Sequence, residues 1–427
     1  MTPHTDLSPE QALLAVLTDI PAPATEELPL AGALGRFLPD PLNARLEDPR
    51  FDKAAVDGIG IAGAELFRGS EDTEFTVIAT IAAGSGEDPV QDLGPNEAVR
   101  IMTGAPVPPA VGQVIKFENC AIEGNRVRIL EPERISNIAR RGENIRPGDP
   151  LMGPRRLTPQ DLGVLASQGY HVVTVAPAPV VTVIATGDEI FPPGAVLPPG
   201  GIYDSNSTQL AACAAVAGAQ VINRGIVRDD REALEQEVRR ACESSQVVIL
   251  SGGVSMGDLD YVPETLEALG GEVVFHGLSM KPGRPTLYGL VPGGSSGPGQ
   301  SGPGQSASQS ASQSPSHGPV RLFGLPGNPV STFVQFEMFI RPLLWALCGV
   351  TYRPREARLP LPAGFTRGNA DRHEFRPGRY RDGAVEPLQY SGSGHVSILS
   401  EADLLFRIDR GVKTVEPGGE VHARFLR

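Results

Sequence analysis

The chain has 427 residues, 40% hydrophobic and 20% charged, a balance that fits a soluble globular protein and excludes a disordered or membrane-embedded one. One compact core is not expected at this length; roughly two to four domains are. A net charge of -13 at pH 7 repels polyanions and no basic stripe offsets it, which excludes nucleic acid, although a few cations and backbone N–H groups can still reverse the field locally for a small anion.

The N-terminus carries no basic stretch followed by an apolar core, so no signal peptide is predicted. The cysteines Cys120, Cys213, Cys242 and Cys348 are far apart with no CxxC pair, which encodes neither a zinc knuckle nor a disulfide framework and points to the cytoplasm. A first helix is predicted over about residues 8 to 20, with Ser8 as N-cap, Pro9 at its first position and Gln11 closing a capping box. From Phe51 to about Asn144 short β-rich runs (EFTVIATIAAG, EAVRIMTG, QVIKFENC, NRVRILEP) predict an inserted all-β domain. A second capped helix follows Thr158, with Pro159, Asp161 at the capping-box position and Gly169 past its end.

From Val180 the pattern alternates strand, loop and helix: VVTVIA, TGDE, a helix after Asp204, QVINRGIV, RDD, a helix through Cys242, then QVVILSGG. This predicts a parallel sheet covered by helices, with ligands beyond the carboxyl ends of its strands, where TGDE, RDD and SGGVSMGDLDY all fall. Residues 293 to 318 are low in complexity and predict a disordered insertion between the strands PTLYGLV and VRLFGL; a long loop is tolerated because closure entropy grows slowly with length. Phe333 to Val350 is the longest apolar stretch, but Glu337, Arg341 and Pro342 interrupt it, so it predicts a buried or docking helix and no membrane span. Beyond Val350 short strands with an Asp382-Gly383 hairpin signal predict a small β-domain.

Three segments carry chemistry. In VVILSGGVSMGDLDY (247 to 261), Gly252 and Gly253 permit close backbone approach to a ligand and Asp258 and Asp260 suit a metal–phosphate site; a glycine turn followed by solvated acids fits the same letters. FGLPGNPVSTF (323 to 333) ends a strand and opens a helix at Asn328 and Pro329, where free N–H groups and Ser331 would attract an oxyanion, or simply cap a helix. SMKPGRP (279 to 285) places Lys281, one of four lysines in the chain, three residues before Arg284, as a contact for phosphate or a similar oxyanion or as a surface turn. Glu189 and Asp229 complete an acidic set: two carboxylates about 4 Å apart repel by about 4 kcal/mol at an effective dielectric near 20. A divalent cation would relieve that, and oxygen-only ligation favours magnesium over zinc. No histidine cluster, GxSxG elbow or cysteine–base pair supports hydrolase or thiol chemistry.

Together, AVDGIGIA, RIMTGAPVP, NIARRGENI, TGDEI, IYDSN, SGGVSMGDLDY, KPGRP and GLPGNPVS, in that order, resemble the molybdopterin molybdenumtransferase family, which includes the C-terminal part of gephyrin. The resemblance covers nearly the whole chain. It implies an α/β multidomain fold: a split helical/β linker domain (1–45 and 147–177), an inserted β-rich domain (46–146), a three-layer α/β molybdopterin-binding domain with a parallel-rich sheet (178–350) and a C-terminal β-domain (351–427). It further implies a homodimer, with the active cleft between the α/β domain of one subunit and the inserted domain of its partner, and contact with other proteins of molybdenum cofactor biosynthesis. The implied reaction cleaves adenylylated molybdopterin and transfers molybdate to its dithiolate with magnesium present, releasing AMP.

By position the resemblance implies catalytic roles for Asp57, Thr103, Glu189, Asp229, Asp260 and Lys281. Glu189, Asp258 and Asp260 would hold Mg2+. Gly252, Gly253, Ser255, Arg284, Pro326, Gly327, Asn328, Pro329, Ser331, Arg372 and Ser397 would bind substrate. The chain departs from the family's usual pattern at Ala54, Ile59, Asn144 and His276, where a hydroxyl, a phenol, a carboxylate and a lysine are more usual. A non-catalytic scaffold or pterin-binding protein that keeps the fold is the rival from another class; a molybdopterin adenylyltransferase is a nearer one, but it would not require the other three domains.

Overall fold

The computed structural model describes residues 4–63, 67, 73–85, 90–253, 261–293 and 318–426. The chain divides into two compact units, one made of Met1–Pro39, Pro154–Thr158 and Val173–Arg427, the other of Asp40–Gly153 and Pro159–Val172.

The larger unit opens with the helix Pro9–Val16. Its start is as predicted: the Ser8 hydroxyl accepts from the Gln11 N–H at 3.2 Å while the Gln11 side chain accepts from the Ser8 N–H at 2.9 Å, satisfying two donors that a helix N-terminus leaves free. It ends about a turn earlier than expected, because Asp19 adopts a positive φ of 52° and Pro21 biases the residue before it away from helix.

The α/β layer is built on six strands: β1 (Val180–Thr186), β2 (Gln220–Val227), β3 (Val247–Ser251), β4 (Glu272–His276), β5 (Leu287–Val291) and β6 (Val320–Leu325), in the order β2-β1-β3-β6-β5-β4. The first four in that order are mutually parallel. β5 runs antiparallel to both β6 and β4, so the parallel-rich sheet expected from the alternation carries an antiparallel edge. Strands β3 and β6 are buried at every residue, as continuous apolar runs covered on both faces should be. Alternate residues feed two cores. Val181, Val183, Val247, Ile249, Phe323 and Leu325 pack with Leu210 and Ala214 of α1 (Asn206–Val216), whereas Ile184, Val248, Leu250 and Leu322 pack with Leu234, Val238 and Ala241 of α2 (Arg231–Ser244). A third helix, α3 (Val262–Ala268), completes the second face.

The apolar stretch expected as one buried helix is buried, but not uniform. The helix α4 (Pro329–Gln335) passes through a π turn at Phe336–Ile340 into Arg341–Leu347. Pro342 has no N–H to give and its ring would strike the carbonyl four residues back, which the wider turn accommodates. The chain then forms a sheet in which His373–Arg381 is antiparallel to Ala384–Pro387 and Leu404–Ile408. Asp382 and Gly383 supply the positive φ values, 50° and 81°, that the predicted hairpin needs. At the sheet's edge the pair Met280–Lys281 runs parallel to His373–Glu374, an attachment that nothing in the sequence pattern announces.

The smaller unit is the β-rich insertion: a six-stranded sheet ordered Val111–Lys116, Gly58–Ala62, Glu97–Ile101, Glu74–Ile81, Arg126–Ile129, Cys120–Glu123. Gly58 is required by packing, since a Cβ there would lie 2.1 Å from the Ile115 carbonyl oxygen. The second predicted helix, Pro159–Ser167, belongs to this unit. Beyond it, Gln168 accepts from the Arg45 and Leu46 N–H groups at 2.9 Å each and the Tyr170 hydroxyl donates to the Asn43 carbonyl at 3.0 Å. Residues 294–317 of the low-complexity insertion lie outside the described residues. Among the described residues no helix is long and apolar enough to cross a membrane.

Removing the reciprocal cap tests the local account of the first helix. Ser8→Ala is expected to cost about 1 kcal/mol of stability in urea denaturation, the usual worth of such a cap.

Candidate functional site

The carboxyl ends of β1, β3 and β6 approach one another more closely than side chains allow. Gly252 has φ 94° and a Cβ on it would sit 2.2 Å from the Thr186 carbonyl oxygen; one on Gly253, φ 63°, would sit 2.6 Å from the Thr186 hydroxyl. Glycine is therefore obligatory at both. The Gly252 N–H donates to the Leu325 carbonyl at 3.1 Å, tying the β3 and β6 loops, and the Asn206 amide at the start of α1 donates to the Ser251 hydroxyl at 2.8 Å and the Gly327 carbonyl at 2.7 Å. Asn206 was not among the predicted site residues; its signal was the IYDSN segment. Among the described residues its Oδ1 and the Thr186 hydroxyl are buried without a partner, two polar atoms at the strand ends, where open α/β sheets bind ligands.

The loops after β1 and β2 bring acids together. The Asp229 carboxyl is pushed above the usual carboxylate range, first by burial, then by the charges of Asp188 and Glu189, with a hydrogen bond from the Asp188 backbone opposing them. Two of the three acidic loops thus converge as expected. The acids of the third, Asp258 and Asp260, lie with Ser255 outside the described residues, and among the described residues no cluster of three or more side chains is arranged to hold a metal ion.

Opposite charge gathers elsewhere in the same unit. A cleft of about 420 Å³ is lined by Lys281, Arg284, Pro326, Asn328, Ser331 and Arg372, all predicted, together with Arg376, Tyr390 and Ser393. The KPGRP turn is pinned from below: the Gln335 amide of α4 donates to the Pro282 carbonyl at 3.2 Å, and a Cβ on Gly283 would fall 1.8 Å from that same nitrogen. Burial pushes the Tyr390 phenol up to about 12, so it is a neutral donor at physiological pH.

The helix opens at Asn328 and Pro329 as expected, but two details of its start differ. The Asn328 side chain makes no capping hydrogen bond, and the Val330 N–H is not free for an anion, because it donates to the Ser393 carbonyl at 3.0 Å. Pro329 occupies the first helical position and does not line the cleft. Ser397 is exposed at the start of the short helix Ile398–Glu401 and is not part of that lining either.

Asp57 and Thr103 belong to the smaller unit. The exposed Asp57 carboxylate accepts from the Thr103 N–H at 2.6 Å and the Thr103 hydroxyl at 2.7 Å, bonds that hold it below the usual carboxylate range. The following Gly104, φ 80°, closes the turn. Of the departures, Ala54 and Ile59 are buried in the core of this unit, where a hydroxyl or phenol would need a partner, and the Asn144 amide donates to the Asp48 carboxylate at 3.0 Å. His276 is half-buried on β4, which holds its imidazole below its usual pKa.

Three family models match in succession: the MoeA N-terminal region (domain I and II) over residues 7–169, a probable molybdopterin binding domain over 182–346 and the MoeA C-terminal region (domain IV) over 358–426. The molybdopterin molybdenumtransferase of Staphylococcus aureus (strain COL) is 32% identical over 92% of this chain and 89% of its own. The chain belongs to the molybdopterin molybdenumtransferase family. It is a transferase, and its family's reaction is molybdenum insertion in molybdenum cofactor biosynthesis. The Bacillus subtilis molybdopterin molybdenumtransferase is 30% identical over 94% of this chain and 90% of its own. A crystal structure of a molybdopterin biosynthesis MoeA protein from Pyrococcus horikoshii superimposes with a TM-score of 0.77 at 30% identity, covering 99% of the transferase and 100% of that chain; a second from the same organism gives 0.80 at 26% over the same shares.

The raised Asp229 pKa has a sign that can be checked. The fold prefers the protonated carboxyl, so this group's contribution to stability is full at pH below the unfolded value and is lost as pH rises through the folded one. Without divalent cations, Asp229→Asn is therefore expected to melt slightly above wild type at pH 7, the gap closing as pH falls through the carboxylate range. Added magnesium should close it at pH 7 as well, in scanning calorimetry.

Proposed function

We propose that this transferase inserts molybdate into adenylylated molybdopterin, using Mg2+ and releasing AMP, and that it works as a cytoplasmic homodimer alongside other proteins of molybdenum cofactor biosynthesis. The observation that carries the reading is the cationic cleft. In a chain of net charge -13, Lys281, Arg284, Arg372 and Arg376 face one space with the Ser331 hydroxyl beside them, a local reversal of field that suits a small dianion such as molybdate. The guanidinium forks offer paired donors to a tetrahedral oxyanion and the lysine a compact point charge. The four-domain division at 45/46, 146/147, 177/178 and 350/351 belongs to the same proposal.

The fit to magnesium rests on Asp229, whose proton affinity is raised by burial and by two neighbouring carboxylates. Glu189 would hold the ion with Asp258 and Asp260. Bound there, magnesium supplies a Lewis acid for the phosphoanhydride. The chain's own residues supply the rest. Gly252 and Gly253 let the chain leaving β3 pass directly against Thr186; the pterin phosphate would lie at these strand ends with Ser255 and Gly327 as contacts, and the Thr186 hydroxyl and the Asn206 side-chain oxygen, unpartnered among the described residues, would supply further polar contacts. Asp57, kept ionised by Thr103, presents a fixed acceptor to substrate donors. Pro326 and Asn328 line the cleft at the rigid turn that Pro329 closes into α4, and Ser397, exposed outside that lining, would offer substrate a hydroxyl.

Purified protein supplied with adenylylated molybdopterin is expected to release AMP only when molybdate and magnesium are both present. Asp260→Asn should leave fold and oligomeric state unchanged and reduce that release at least 100-fold, the order of an essential electrostatic contact. AMP release that ignores molybdate would reject the insertion reaction, and wild-type turnover in the variant would reject the metal role.

A further inference from the structure

The cationic cleft has a buried acid behind it that none of the roles above uses. Glu374 lies on His373–Arg381, with its side chain 3% exposed. Its Oε1 is 3.0 Å from an Arg376 guanidinium nitrogen and 3.5 Å from the Lys281 ammonium, and its Oε2 is 3.6 Å from Arg367. One carboxylate oxygen thus serves two of the four cations that line the cleft, Lys281 and Arg376.

Resting stability does not explain this arrangement. Arg367 is already held by the carbonyls of Val412 and Arg372, each at 2.8 Å, and does not require Glu374. The Lys281 side chain is 56% exposed, so water screens its attraction to Glu374 and the pair adds little to folding. A buried carboxylate, by contrast, carries a desolvation cost that favours keeping it only where it has partners to hold. The backbone points the same way. Lys281 pairs with Glu374 in register across two short parallel strands, which sets the root of the lysine, and the carboxylate sets its tip. Arg376 is fixed in plane as well as in charge, its guanidinium carbon 4.8 Å from the Phe365 ring centroid and 5.1 Å from that of Tyr390.

We propose that Glu374 is a positioning residue for the oxyanion: it holds the Lys281 ammonium and the Arg376 guanidinium at a fixed separation facing the cleft, so that the anion meets a preset pair of donors. The inference rests on the reading of this cleft as the molybdate site. Without the acid, two cations would repel each other and the exposed lysine would swing into water, so a rise in net positive charge would be accompanied by weaker, less specific anion binding.

The chain's four lysines make the test direct. With lysine labelled at 13Cε, full-length protein is titrated with sodium molybdate and followed by NMR, with affinity measured by calorimetry. In the wild type the Lys281 signal, assigned by its loss in Lys281→Ala, is expected to move while those of Lys53, Lys116 and Lys413 stay. Glu374→Gln should weaken molybdate about tenfold, the size of one charge-assisted contact, and remove the Lys281 response. In the Lys281→Ala background the same substitution should cost clearly less, because the role through Lys281 is already gone. Wild-type affinity in Glu374→Gln, or a loss of equal size in both backgrounds, overturns the positioning role while leaving the molybdate site standing. No binding by wild type, or undiminished binding by Lys281→Ala, overturns the site itself and this inference with it. Should Glu374→Gln melt below the assay temperature, Glu374→Asp, which keeps the charge but shortens its reach, is read by the same criteria.

Discussion

Where β1 and β3 end, a carbonyl oxygen and a glycine Cα pass so close that no side chain fits between them. That approach determines much of what surrounds it. It requires positive φ at two consecutive residues, turns the chain abruptly out of a fully buried strand, and brings the loop after β6 within a hydrogen bond of the loop after β3. Asn206 bridges the two loops from the start of α1, so the first helix after β1 is held in the same knot. A sheet with apolar cores on both faces has nowhere to place polar chemistry except at its strand ends, and here those ends are kept narrow by backbone and two glycines.

Charge is sorted around that edge. Acids occupy the loops after β1 and β2, where burial first and mutual repulsion second raise the Asp229 pKa. Cations occupy the KPGRP turn, Arg372 and the strand His373–Arg381 that follows it. An acidic protein can handle an anionic substrate under this arrangement because fields at short range are governed by the nearest few groups, and distant surface charge is screened within about 10 Å at ordinary ionic strength.

Much of this was legible in the letters. The buried strands read as largely apolar runs, and β2 and β6 fall on the predicted residues QVINRGIV and VRLFGL. The Ser8 cap and the Asp382-Gly383 turn depend on local chemistry and could be read locally. Six predicted residues share one cleft because the fold brings together the KPGRP turn, the start of α4 and the residue before the strand His373–Arg381. What stayed hidden was set by tertiary context. The antiparallel edge of the sheet depends on pairing partners, and the π turn depends on how Pro342 is accommodated. Arg376 and Tyr390 were invisible because an arginine stacked between rings has no spacing signature. Asn328 does stand at the N-cap, but its side chain makes no capping bond: an N-cap position selects a residue type, while the fold decides where its side chain turns.

The two-residue strand Met280–Lys281 leaves the α/β layer to join the sheet built after Val350. An anion held by Lys281 and Arg376 would clasp the two layers together, and by reciprocity whatever loosens their seam must loosen the anion by the same factor. Substrate occupancy and the seating of the C-terminal sheet are then two readouts of one equilibrium, which makes that seam a natural place for the transferase to let its product go.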